Sequence, residues 1–205
     1  MNTDKLLLLE ERFLAQYPLG FNDPGLKEIE KRHKVNIMHQ LAHDWFNPAM
    51  FHEPIEVADH FGKLIAKSSL VSIFEKAKFK DVIKQMTFSE KVALSEAIHD
   101  NLFGNQEKGF NQMVEILAMY EMAKWPILTV LGLYYNGDYE VLVKPTTAKN
   151  ILKYLEVSEF KYTSKPNYQF YNQYRTLIND LKERTQTRLA DDNGAFCGFL
   201  MMTIE

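Results

Sequence analysis

Apolar residues recur along most of this chain at spacings of three and four, the repeat of helices that bury one side. A first helix is expected over 4–16, with Leu6, Leu9 and Phe13 inward. Asp23-Pro24 marks a second start, a capping acid followed by proline at the first helical position. From there one helix is expected to run to about Phe46, with Leu26, Ile29, His33, Ile37, Leu41 and Trp45 on one side. The same arithmetic puts Arg32, Asn36, His39 and His43 together on the opposite side.

The pattern restarts after Pro48 and Pro54. Residues 55–67 carry Ala58, Phe61 and Ile65 in register. Ser68-Ser69 is expected to cap a helix burying Leu70, Ile73, Phe74, Ala77 and Val82. Thr87 followed by Glu90 matches a capping box, and Gly104 marks that helix's end. Phe110, Met113, Val114, Leu117 and Tyr120 define a helix over 109–124. Pro166-Asn167 opens a long helix with Tyr171, Tyr174, Leu177, Ile178 and Leu181 inward, ending near 191–194.

One stretch, 124–155, departs from simple amphipathicity. Residues 125–135 are uncharged throughout, which predicts burial on most sides. Asn136-Gly137 reads as a type I′ turn, and Tyr139, Val141 and Val143 alternate after it as a strand would. A small β element, a hairpin or short strands near 131–143, is therefore expected. The apolar tail 196–203 is a candidate partner strand. Thr146 or Thr147 is expected to cap the helix that buries Ala148, Ile151, Leu152 and Leu155. The fold expected is mainly α, a compact helical domain spanning 1–205 with that small β element.

Composition changes little in this picture. At 205 residues there is length for a real core, and a net charge of −3 argues against a strongly electrostatic nucleic-acid binder. A single cysteine, Cys197, excludes an internal disulfide and Cys-based zinc fingers and fits a reducing, cytoplasmic location. No apolar run approaches the ~20 residues of a membrane span, and the Leu6–Leu9 run is too short for a signal-peptide core.

Candidate chemistry is sparse. His39 and His43, four apart, place two imidazoles on one helical face, and Asp44 or Asp100 beside His99 could complete a metal site. The Glu of an HExxH pattern is missing, since residue 40 is Gln. Cys197 sits among apolar neighbours that make a thiol inert. Nine glycines leave no Rossmann or P-loop signature. The segment from Lys144 to Lys149 is more suggestive. A helix start there offers free N–H groups, the Thr146 and Thr147 hydroxyls and two lysines to a phosphate, from a nucleotide or a nucleic-acid backbone. Arg175, Lys182, Arg184 and Arg188 could extend a basic face, diluted by Asp180, Glu183 and Asp191. Tyr162, Tyr168, Phe170, Tyr171 and Tyr174 could stack on bases, though such spacing is commonly core packing.

Several local patterns resemble an uncharacterised family of bacterial cytosolic proteins. They are Phe13-Leu14 with Tyr17-Pro18-x-Gly20-Phe21-x-Asp23-Pro24, Arg32, His39, and Phe74-Glu75-Lys76. Further on come Trp125-Pro126-x-x-Thr129, Lys144-Pro145, and Tyr162 with Pro166-Asn167 and Tyr171. The resemblance implies no activity, and the family's polar-aromatic ending is replaced here by residues 194–205. The helix–extended–helix order of 124–155 also resembles accessory domains of restriction and defence systems.

The expected function is that of a cytosolic, non-enzymatic binding protein contacting phosphate or a nucleic-acid backbone. Its site residues are Arg32, His39, His43, Lys144, Thr146, Thr147 and Lys149. No cofactor is expected. The alternative is a metal-dependent hydrolase using His39, His43 and an acidic partner. A third reading is a structural subunit whose aromatic surface forms a homo-oligomer interface.

Overall fold

The structure, a computed structural model, describes residues 1–189 and 192–204. Its elements in chain order begin with α1 (Thr3–Gln16), α2 (Lys27–His33), α3 (Val35–Trp45) and α4 (Pro54–Lys67). There follow α5 (Ile73–Gln85), α6 (Phe88–Phe103), α7 (Gln106–Ala118) and α8 (Trp125–Tyr135). The last are α9 (Pro145–Tyr154), α10 (Tyr168–Arg184) and α11 (Asn193–Thr203). No helix among the described residues is long and apolar enough to cross a membrane.

The uncharged α8 is the centre of the core: every residue from Trp125 to Tyr134 is buried. Helix α3 packs on α4 and α8, α4 on α5 and α6, and α6 lies against α7. The amino-terminal α1 and the end of the chain meet through α11, which also touches α9 and α10. Phe13 of α1 and Phe199 of α11 meet edge to face at 5.2 Å. The Thr87 capping box forms in full, with Glu90 N–H donating to Thr87 Oγ1 and Thr87 N–H to Glu90 Oε2. Helix α10 buries Tyr171, Tyr174, Leu177, Ile178 and Leu181 as its spacing predicts, but it stops at Arg184. Asp191, where that helix was expected to end and where its basic face was expected to be diluted, lies outside the described residues, as does Glu205.

The expected β element does not form: the described residues contain no strand. Residues 131–135 continue α8, and 196–203 belong to α11, capped by Asp192, whose carboxylate accepts from Ala195 N–H at 2.8 Å. Gly137 has no positive φ, as a type I′ turn would need. Val141 and Val143 are buried, but so is Leu142 between them, so the alternation does not separate a wet face from a dry one. The backbone here is satisfied by hooks rather than a ladder. Val143 N–H donates to Thr129 Oγ1 at 3.0 Å, and Asn193 N–H to the Gly137 carbonyl at 2.8 Å. Asn179 and Lys182 side chains donate to the carbonyls of Tyr139 and Asp138.

Three further expectations are corrected. The long helix from Asp23 to Phe46 is broken at Lys34, which takes a left-handed conformation (φ 50°, ψ 40°) between α2 and α3. The break rotates the buried side of α3 to Met38 and Ala42 and leaves Ile37 exposed. Ser72, not Ser68-Ser69, caps α5, which turns Ile73 and Phe74 out to solvent and Phe79, Val82 and Ile83 inward. Lys144 is the N-cap of α9, so neither Thr146 nor Thr147 caps it, and no side chain among the described residues caps the helix.

Candidate functional site

The break at Lys34 has a structural consequence. In one straight helix His33 would face away from Arg32 and His39. With the turn at Lys34, the end of α2 and the start of α3 fold around a common hollow. The hollow has a volume of about 490 Å³ and is walled by α2, α3, α11, the end of α8 and the segment leading into α9. Arg32 and His33 reach it from α2, Asn36 and His39 from α3, and Lys144 and Thr147 from the start of α9. Leu133 and Tyr134 form part of its inner wall, and Cys197, Phe199, Met201 and Met202 line it from α11.

Three basic groups face the hollow, and two carboxylates, Glu30 and Asp192, line it as well. Lys144 is half-buried with no carboxylate within 4.0 Å among the described residues, and burial lowers its amine below the usual lysine range. Arg32 stands exposed at the rim, likewise without an ion pair among the described residues. His33 lies between them in electrostatic terms: burial, then Lys144, then Arg32 hold its imidazole below the ordinary value. Its Nδ1 is 2.8 Å from Ser69 Oγ, the one side-chain hydrogen bond joining α2 to the body of the protein among the described residues. Helix α2 itself buries no residue.

The neutral wall is inert. Burial pushes the Tyr134 hydroxyl up to about 12, and it pairs with Ser68 Oγ at 2.8 Å. Burial likewise pushes the Cys197 thiol up to about 12, so it is no nucleophile at neutral pH. Phe13 holds Phe21 at 5.9 Å as well as Phe199, and these three rings line the hollow together.

Four residues singled out by sequence, Arg32, His39, Lys144 and Thr147, thus meet at one cavity. Three do not. His43 packs on Tyr135 with ring centroids 4.4 Å apart, Thr146 is exposed at the start of α9, and Lys149 sits over the Tyr162 ring at 4.9 Å. The histidine–aspartate cluster is dispersed. His99 packs against Phe51 and Phe103, Asp100 accepts from Lys108 Nζ at 2.7 Å, and Asp44 accepts from Gln40 at 2.8 Å. Among the described residues no three His, Cys, Asp or Glu side chains are grouped to hold a metal ion.

The basic face expected on α10 is internally consumed. Arg175 is buried against Glu140 at 2.8 Å, Arg184 pairs with Asp180, and Lys182 and Arg188 donate to the carbonyls of Asp138 and Pro18. Of the five aromatics singled out by sequence, Phe170, Tyr171 and Tyr174 are core residues and offer no stacking platform, while Tyr162 and Tyr168 are half-buried, packed on Phe170 and Phe110.

Sequence reasoning missed His33, assigned there to the core side, and the cavity face of α11. The spacing of 196–203 carried a helical signal as much as a strand one, but nothing in the composition around Lys34 announces a left-handed residue, which Gly or Asn would. Comparison with family models, curated proteins and solved structures returns no match, so the site is read from its own geometry.

Proposed function

We propose that this chain is a binding protein whose ligand is a small molecule carrying a phosphate or carboxylate, held in the cavity between α2, α3, α9 and α11. The observation that carries the reading is Lys144: a half-buried ammonium at the wall of a 490 Å³ hollow with no acid within ion-pair distance among the described residues. A buried charge is costly without a partner, and an incoming anion supplies one. Arg32 and the uncapped Thr146 and Thr147 N–H groups at the start of α9 add to the same positive field. A cavity of this size falls in the ordinary range for small-molecule sites. A nucleic-acid backbone fits less well, because the arginines and lysines that would track it along α10 are bonded within the protein.

The test is a thermal-unfolding screen of small carboxylates and phosphate esters against their neutral analogues, run on the wild-type chain and on Lys144→Met. Ligands that bind only the folded state raise Tm with concentration. The reading expects a stabilising anion whose effect is lost in Lys144→Met. It is abandoned if every anion shifts both proteins equally.

A further inference from the structure

Resting on that reading, we infer that the ligand is an amphiphile: one anionic head on an apolar body of on the order of ten heavy atoms, a water-sized group taking about 30 Å³. The cavity has both charged and apolar lining. Its cations, Lys144 and Arg32, both bear on the His33 imidazole, and the Glu30 and Asp192 carboxylates line the hollow as well. Its apolar lining includes Phe13, Phe21 and Phe199, a continuous aromatic wall with ring centroids 5.9 and 5.2 Å apart. Met201 and Met202 follow on α11, lining the hollow while remaining 52% and 40% exposed. Exposed thioethers at the mouth of an apolar wall are adaptable surface that a flexible chain would cover. A bare inorganic anion would use the cations and leave this wall wet. A neutral lipid would cover the wall and leave Lys144 buried without a partner.

Gly198 gives a clean handle. It lines the same hollow, and a Cβ placed on it meets nothing within 4 Å, so a larger side chain there enters empty space. Replacing a helical glycine also removes a backbone penalty rather than adding one.

The experiment is calorimetric titration of the full chain with decanoate, 1-decanol, acetate and inorganic phosphate, each well below any aggregation concentration. Expected is saturable binding of one decanoate per chain, at least tenfold tighter than decanol, acetate or phosphate. Lys144→Met should weaken decanoate at least tenfold while leaving decanol unchanged, and Gly198→Leu should abolish decanoate binding without lowering Tm. Phosphate or acetate binding as tightly as decanoate, still dependent on Lys144, overturns the amphiphile and leaves the anion site standing. Decanol equal to decanoate, or no Lys144-dependent binding of any of the four, overturns both. Decanoate binding unaltered in Gly198→Leu places the ligand elsewhere and also overturns the inference.

Discussion

Lys144 reaches the cavity at the end of an irregular segment, and that segment is pinned at Glu140. The perturbation that tests this anchor is Arg175→Met. Arg175 is 3% exposed and Glu140 8%. One terminal guanidinium nitrogen donates to both Glu140 oxygens, at 2.8 and 3.0 Å, and to Gln106 at 2.6 Å; the other terminal nitrogen donates to Asn172 at 2.8 Å, and Nε has no partner among the described residues. The guanidinium is also stacked near the Tyr139 ring at 4.5 Å. Methionine keeps most of the stem but removes the charge, leaving a carboxylate with only the Tyr171 hydroxyl and the Gln106 amide as donors. Breaking a buried pair from one side costs about 3–5 kcal/mol, out of a total of roughly 5–15. At about 2–4 °C per kcal/mol for a chain of this size, Tm should fall by roughly 6–20 °C. Urea denaturation and a thermal scan measure it. Because the deficit comes from the carboxylate left without its partner, Arg175→Met/Glu140→Leu should be more stable than Arg175→Met alone. A cost below about 1 kcal/mol, the range of surface pairs, would refute the claim that this network holds the segment.

Three other outcomes follow from the same structure. Lys34→Gly should stabilise the chain by about 1 kcal/mol, since it relieves a left-handed non-glycine residue; in an unbroken helix the same change would destabilise by about as much, so the sign of the urea shift decides. Gly109→Ala should destabilise by about 1–3 kcal/mol or more, because its Cβ would lie 2.3 Å from Asn101 N and 2.6 Å from the Ala97 carbonyl where α7 crosses α6; an unchanged midpoint would contradict that close crossing. For His33 the folded pKa is depressed below 6.5, so its contribution to stability is present above that pH and is lost as pH falls through the folded value. NMR titration of its ring protons should give a midpoint below 6.5 that moves upward on adding an anionic ligand, and a free-state midpoint above 6.5 would contradict the crowding by Lys144 and Arg32.

What could be read from the chain alone follows its local physics. The uncharged run 125–135 announced burial on most sides, though 131–135 was expected in a β element and is helix; Thr87 with Glu90 announced the capping box of α6, and the tyrosine–leucine spacing of α10 announced its buried side. These are signals carried by neighbours in sequence. The extended segment after Asn136 misled because alternation of Tyr139, Val141 and Val143 implies a strand only if another strand is there to pair with; here Thr129, Asn179 and Asn193, from three separate helices, supply the partners. The site was half legible. Arg32, His39, Lys144 and Thr147 were singled out by charge and helix position, yet their convergence depends on one left-handed residue, Lys34, whose type carries no such preference. The apolar wall was invisible because Phe13, Phe21 and Phe199 come from opposite ends of the chain.

As proposed, Lys144 is a half-buried ammonium whose partner is a bound anion. Its side-chain pKa, followed by NMR of the lysine methylene carbon next to Nζ, with Lys144→Met to assign the signal, measures that condition directly. In the free protein it should titrate below the ordinary 10.5, as burial dictates, and rise when decanoate or another bound anion is added. An ordinary or raised value in the free chain, unmoved by any anion, would mean that Lys144 is solvated or already paired, and would contradict the central claim.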